Sequence, residues 1–100
     1  MAFFEVKSYI TYLRSGPGST KGFLVVSGSN GRATVRFVAG TPGAPAMIGA
    51  SLRFEYPVEM MQTVIDMVRN EKPIYVIYNE DLTIVQFGTS EEPVGEEERS

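Results

Sequence analysis

Phe23-Leu24-Val25-Val26-Ser27-Gly28-Ser29-Asn30-Gly31-Arg32-Ala33-Thr34-Val35-Arg36-Phe37-Val38 decides the architecture of this chain. Two runs rich in β-branched and aromatic residues flank Asn30-Gly31, the dipeptide that suits a type I′ turn. A two-residue loop there pairs Val26 with Val35, Leu24 with Phe37, Val25 with Arg36 and Phe23 with Val38. Leu24, Val26, Val35 and Phe37 then share one face. The other face carries Phe23, Val25 and Val38 beside Ser27, Thr34 and Arg36. It is too apolar for a plainly solvated surface, and we take Phe23, Val25 and Val38 as a candidate oligomer interface.

Upstream, residues 3–14 alternate as a strand, with Phe4, Val6, Ile10 and Tyr12 on one side and Glu5, Lys7, Tyr9 and Thr11 on the other. Residues 15–22, rich in Gly and Ser, stop it. Downstream, a Gly/Pro loop over 40–45 leads into a second alternating strand, 48–56, with Ile48, Ala50, Leu52, Phe54 and Tyr56 facing the core. Pro57 suits a first helical turn, and Val58, Met61, Val64, Ile65 and Val68 follow as one apolar stripe. Residues 57–70 therefore form the single helix, closed by Asn70 in a left-handed conformation ahead of Pro73. Residues 74–78 and 82–87 form a last hairpin around Asn79-Glu80-Asp81.

The order is four strands, a helix and two strands. That predicts an α+β fold: an antiparallel meander of about six strands with one amphipathic helix on one sheet face. One domain over 1–89 and a flexible acidic tail over 90–100 complete the expected organisation. The 100 residues bound this to one domain, because single domains commonly run to about 100–150 residues.

The composition excludes whole classes of chemistry. There is no Cys and no His, so disulfide frameworks, thiolate nucleophiles, zinc clusters and histidine-based triads fall away. The Gly-rich stretch before Lys21 fails as a phosphate loop, which needs Gly-Lys-Ser/Thr opening a helix. Here Ser19-Thr20-Lys21-Gly22 precedes a strand. Glu5, Glu55, Glu59, Asp66, Glu71, Glu80 and Asp81 show no paired spacing in an apolar setting, as a carboxylate acid–base pair would need. The expectation is a protein that is not an enzyme and takes no cofactor and no metal. Met1-Ala2-Phe3-Phe4-Glu5-Val6-Lys7 lacks the pattern of a signal peptide, and no apolar run approaches the ~20 residues of a membrane helix. A cytoplasmic protein with no membrane partner is expected.

Charge is unevenly placed. Net charge is -3 overall, yet residues 1–56 hold six bases against Glu5 and Glu55, and residues 57–100 hold three bases against ten acids. Lys7, Tyr9, Phe23, Arg36 and Arg53 fall on strand faces opposite the expected core. Basic side chains among aromatic rings on a sheet are what single-stranded nucleic acid binding uses, with charges following the backbone and bases stacking on rings. Lys7, Arg36 and Arg53 would meet phosphates; Tyr9 and Phe23 would stack. The strands-then-helix order resembles small dimeric sheet proteins that bind single-stranded nucleic acid, a likeness of fold order. The sequence thus points to a small self-associating binding module with single-stranded nucleic acid as ligand. The alternative is a protein-interaction or assembly subunit that uses the apolar sheet face and no nucleic acid. A small-molecule-binding protein ranks below both.

Overall fold

The computed structural model describes residues 1–89. The expected acidic tail, 90–100, lies outside the described residues. The fold is α+β: strands β1 (Ala2–Glu5), β2 (Ser8–Leu13), β3 (Thr20–Ser27), β4 (Arg32–Val38), β5 (Ala46–Ile48) and β6 (Ser51–Pro57), a 3₁₀ turn Val58–Met60, helix α1 (Met61–Asn70), then β7 (Ile74–Tyr78) and β8 (Val85–Thr89). The strands make two sheets rather than one meander. One has five strands in the order β2-β3-β4-β6-β5, the other three in the order β1-β7-β8.

The central hairpin forms with the faces expected and a different turn. Its loop is Gly28–Gly31, closed by the Gly28 N–H donating to the Gly31 carbonyl at 2.9 Å. Val26 pairs with Ala33, Leu24 with Val35 and Phe23 with Arg36. The register is two residues from the expected one. Side chains alternate with a period of two, so a two-residue slip leaves every face unchanged. Leu24, Val26, Val35 and Phe37 are all fully buried. Gly31 keeps negative φ, so it does not serve a type I′ turn. Its role is close approach: a Cβ there would collide with the Phe4 ring.

Residues 3–14 are not one strand. The Val6 N–H donates to the Ile74 carbonyl (2.8 Å) and the next N–H, of Lys7, to the Ser27 carbonyl (2.7 Å). The chain therefore leaves one sheet and enters the other between adjacent residues. Ser8 also stands opposite Ser27, so two residues face one, the arrangement of a β-bulge. The bulge inverts the alternation. Phe4 is buried, whereas Ile10 and Tyr12 pair with Val25 and Phe23 on the outward face.

The strand expected over 48–56 is a hairpin, β5–β6, turned at Gly49, where φ is +64°. Leu52 and Phe54 are buried as expected; Ile48 is exposed. β6 pairs with β4 in parallel, the one parallel pair among the described residues. Residues 39–50 supply the long connection that a parallel pair requires.

The core lies between the five-stranded sheet and a second layer made of α1 and the small sheet. Val64 and Val68 of α1, with Phe4, Ile74 and Val76, pack on Leu24, Val35, Phe37, Leu52 and Phe54. Tyr56 stacks on Phe37 at a ring separation of 6.4 Å, and burial raises its phenol pKa. The helix ends without a left-handed residue: Glu71 is extended, and its N–H bonds the Met67 carbonyl at 3.0 Å. No helix among the described residues is long and apolar enough to cross a membrane.

The turn between β7 and β8 is longer than Asn79-Glu80-Asp81. Asp81 Oδ1 accepts from the Thr83 hydroxyl (2.9 Å) and from the Thr83 N–H (3.2 Å). These bonds hold the Asp81 carboxyl below its ordinary pKa.

Two outcomes follow from these contacts. Gly31→Ala forces Phe4 from its seat and should destabilise the fold by about 1–3 kcal/mol, the usual cost of overpacking, read by thermal unfolding. Thr83→Val removes the hydroxyl donor, so the Asp81 carboxyl should titrate at a higher pH in a carbonyl-detected NMR titration. Its depressed folded pKa adds stability that is present above the unfolded pKa of about 3.9 and is lost as pH falls through the folded value. Thr83→Val should therefore be less stable than wild type near neutral pH, with the difference shrinking in acid.

Candidate nucleic-acid interface

The outward face of the five-stranded sheet is built by alternation. Cross-strand partners share a face, so Tyr12, Phe23 and Arg36 form one row, and Ile10, Val25, Thr34 and Arg53 the next. Two adjoining concavities lie along it, of about 530 and 360 Å³. Arg14, Phe23 and Thr34 line both. Arg36, Arg53 and Ile48 close one end, and Tyr12, Leu13 and Val25 the other. The result is an open trough with a cationic half and an apolar half.

Phe23 is its centre. The Arg14 guanidinium carbon lies 4.7 Å from the Phe23 ring centroid, and Tyr12 meets the same ring edge-on at 6.4 Å. A guanidinium on an aromatic face is held by the ring quadrupole, and its free plane can stack on a base.

Arg36 is bound into the sheet more than it is offered to solvent. Its Nη2 donates to the Thr20 hydroxyl at 2.6 Å, and its Nη1 lies 3.4 Å from Glu55 Oε2. Its Nε is buried with no hydrogen-bond partner among the described residues. Glu55 Oε1 accepts from the Gly43 N–H at 2.7 Å. One carboxylate thus fixes the Arg36 guanidinium and pins the Gly/Pro loop to the sheet. Glu55 is also the only acid within the five strands of this sheet, which carry Lys21, Arg32, Arg36 and Arg53. Arg32 and Arg53 are exposed.

Of the residues singled out from sequence, the structure brings Phe23, Arg36 and Arg53 together in this trough. Lys7 and Tyr9 lie elsewhere, in a recess of about 240 Å³ with Val68, Arg69 and Lys72 at the end of α1. Lys7 there pairs with Glu5 at 3.0 Å. The bulge at 7–8 is the cause, since it reverses which side of the strand Tyr9 occupies. The same reversal delivers Tyr12 and Arg14, which sequence reasoning missed; no local signal marks a strand that changes sheet. Of the three candidate interface residues, Phe23 and Val25 are partly exposed in the trough, whereas Val38 is buried beside its partners Thr20 and Pro57. Among the described residues no three His, Cys, Asp or Glu side chains gather as a metal site would need.

The trough can hold an extended, negatively charged chain carrying flat apolar groups. Guanidinium groups meet the charge, and rings and aliphatic side chains meet the planes. No protein-family model, curated protein or solved structure matches this chain.

Proposed function

We propose that this protein is a non-enzymatic binding module that takes single-stranded nucleic acid along the outward trough of its five-stranded sheet. The observation that carries this reading is the grouping of Arg14, Arg36 and Arg53 with Phe23 in one concavity, on a sheet whose single acid within its strands is already engaged by Arg36. Arg14 and Arg53 contact phosphates. Arg36 contributes less, because Glu55 neutralises it. Bases stack on Phe23, on Tyr12 and on the free plane of Arg14. Such contacts are sequence-tolerant, since every base has a π face. The open trough suits a strand that passes through better than a small molecule that must be enclosed. A protein ligand over Phe23 and Val25 is the second reading. It draws on the apolar half alone, so its affinity would be nearly independent of salt.

Anisotropy of a labelled oligothymidylate across a salt series tests this. Binding should be tightest at low salt and fall with a log–log slope of about −0.7 for each phosphate contacted, so about −1.4 for two. Arg53→Ala should flatten the slope by about 0.7. Phe23→Ala should weaken binding by about 1–3 kcal/mol, the worth of one stacked base, with the slope unchanged. Glu55→Gln frees the Arg36 charge and should tighten low-salt binding several-fold. Absence of binding at low salt, or a slope indifferent to Arg53, refutes the reading.

A further inference from the structure

β2 is the edge of the five-stranded sheet, and all six of its residues are exposed. Sheets ordinarily guard an edge with brevity, charge or proline, because unpaired N–H and C=O groups recruit other strands. The other edge of this sheet, β5, is three residues long and follows Pro45. β2 is six residues of Ser8-Tyr9-Ile10-Thr11-Tyr12-Leu13 with no charge and no proline.

The phase of its hydrogen bonds is fixed. The Arg14 N–H donates to the Lys21 carbonyl at 2.9 Å, so Arg14 and Lys21 are a bonded pair. Bonded and non-bonded pairs alternate along an antiparallel ladder, which makes Tyr12, Ile10 and Ser8 bonded to β3. The backbone groups of Tyr9, Thr11 and Leu13 therefore point away from the sheet, without a partner among the described residues. Three residues at this spacing have a two-fold solution. Antiparallel pairing centred on Thr11 sets Thr11 opposite Thr11 and Tyr9 opposite Leu13, and it uses every free group. Sliding the pairing either way leaves some unused.

We propose that β2 pairs in this register with β2 of a second copy of the chain, joining two five-stranded sheets into one of ten strands. Charge permits it: Lys7 falls opposite Ser15 and Arg14 opposite Ser8, so no cation faces a cation. On the trough side Ile10 packs against Tyr12 of the second copy, and the two troughs run together across the seam. Tyr9, Ile10, Tyr12 and Leu13 are 38, 54, 51 and 83% exposed. At roughly 100 Å² apiece they remove about 800 Å² over both copies, and the backbone brings this to about 1,000 Å², the lower bound of a specific interface. The dimer is accordingly concentration-dependent. It rests on the edge strand and not on nucleic-acid binding.

Sedimentation of the ligand-free protein should show mass rising from 11 kDa toward twice that value as concentration increases. Thr11→Lys sets like charges on the two-fold axis and should weaken dimerisation at least tenfold. Its side chain lies on the face away from the trough, so oligothymidylate binding by the monomer survives if the nucleic-acid reading holds. Loss of one behaviour without the other separates the two readings. The native chain has no Cys, so Thr11→Cys adds a single thiol, about 5.5 Å Cα to Cα from its mate and within disulfide reach. Air oxidation should give a disulfide dimer of Thr11→Cys and far less of Ser29→Cys, whose thiol would stand on the exposed β3–β4 loop. A native protein that stays monomeric at high concentration, or equal crosslinking of the two variants, overturns the proposal.

Discussion

The corner at Val6 and Lys7 is the constraint on which the rest of this structure depends. Two neighbouring N–H groups bond to different sheets, one to Ile74 and one to Ser27. The chain thereby passes from the small sheet to the large one within a single residue step. Phe4 fills the inside of that corner, against Gly31 and the buried faces of both sheets. A strand that bends from one layer into another by a bulge is a general way to close a two-layer core. Here it also assigns function-bearing side chains. Beyond the bulge the alternation is inverted, and Tyr12 and Arg14 reach the outer trough rather than the interior.

The second constraint is electrostatic and sits at the other end of the trough. β4 and β6 run parallel, which brings Arg36 and Glu55 side by side. Their pairing is partly shielded from solvent, with side chains 29 and 17% exposed. Removing either partner would strand the other in a half-buried site, so the pair acts as one fixture. Through Gly43 the fixture extends to the loop that carries the chain from β4 to β5. The seating of the Gly/Pro loop and the charge of Arg36 thus share one carboxylate.

Much of the fold was legible because hydrophobic period survives errors of register. The faces of β3 and β4 were readable although the turn at Asn30-Gly31 was of another kind, since a two-residue slip preserves them. The helical stripe was legible for a like reason, since spacing alone dictates the side it buries, and Ile74–Tyr78 was legible as an unbroken run of β-branched and aromatic residues. What was not legible depends on contacts remote in sequence. The parallel β4–β6 pair, the split of residues 3–14 and the exposure of Ile48 are settled by which strands meet, and no local pattern encodes that. The trough was half readable. Phe23, Arg36 and Arg53 lie on strands whose alternation is intact, whereas Lys7 sits in the bulge beside Glu5 and Tyr9, beyond it, was carried to the opposite side.

The pairing of β1 with β7 joins Phe3 to Ile77 and Phe4 to Val76, residues more than seventy positions apart. A ribosome releases the chain in order of sequence, so the five strands of the larger sheet emerge before β7 does. During that interval Phe4 has a place to dock, beside Gly31, but its strand has no neighbour to bond. Among the described residues, completion of the small sheet is therefore the last pairing that synthesis allows, and β1 waits for β7. Strand β1 serves as the latch of the fold, closed by β7.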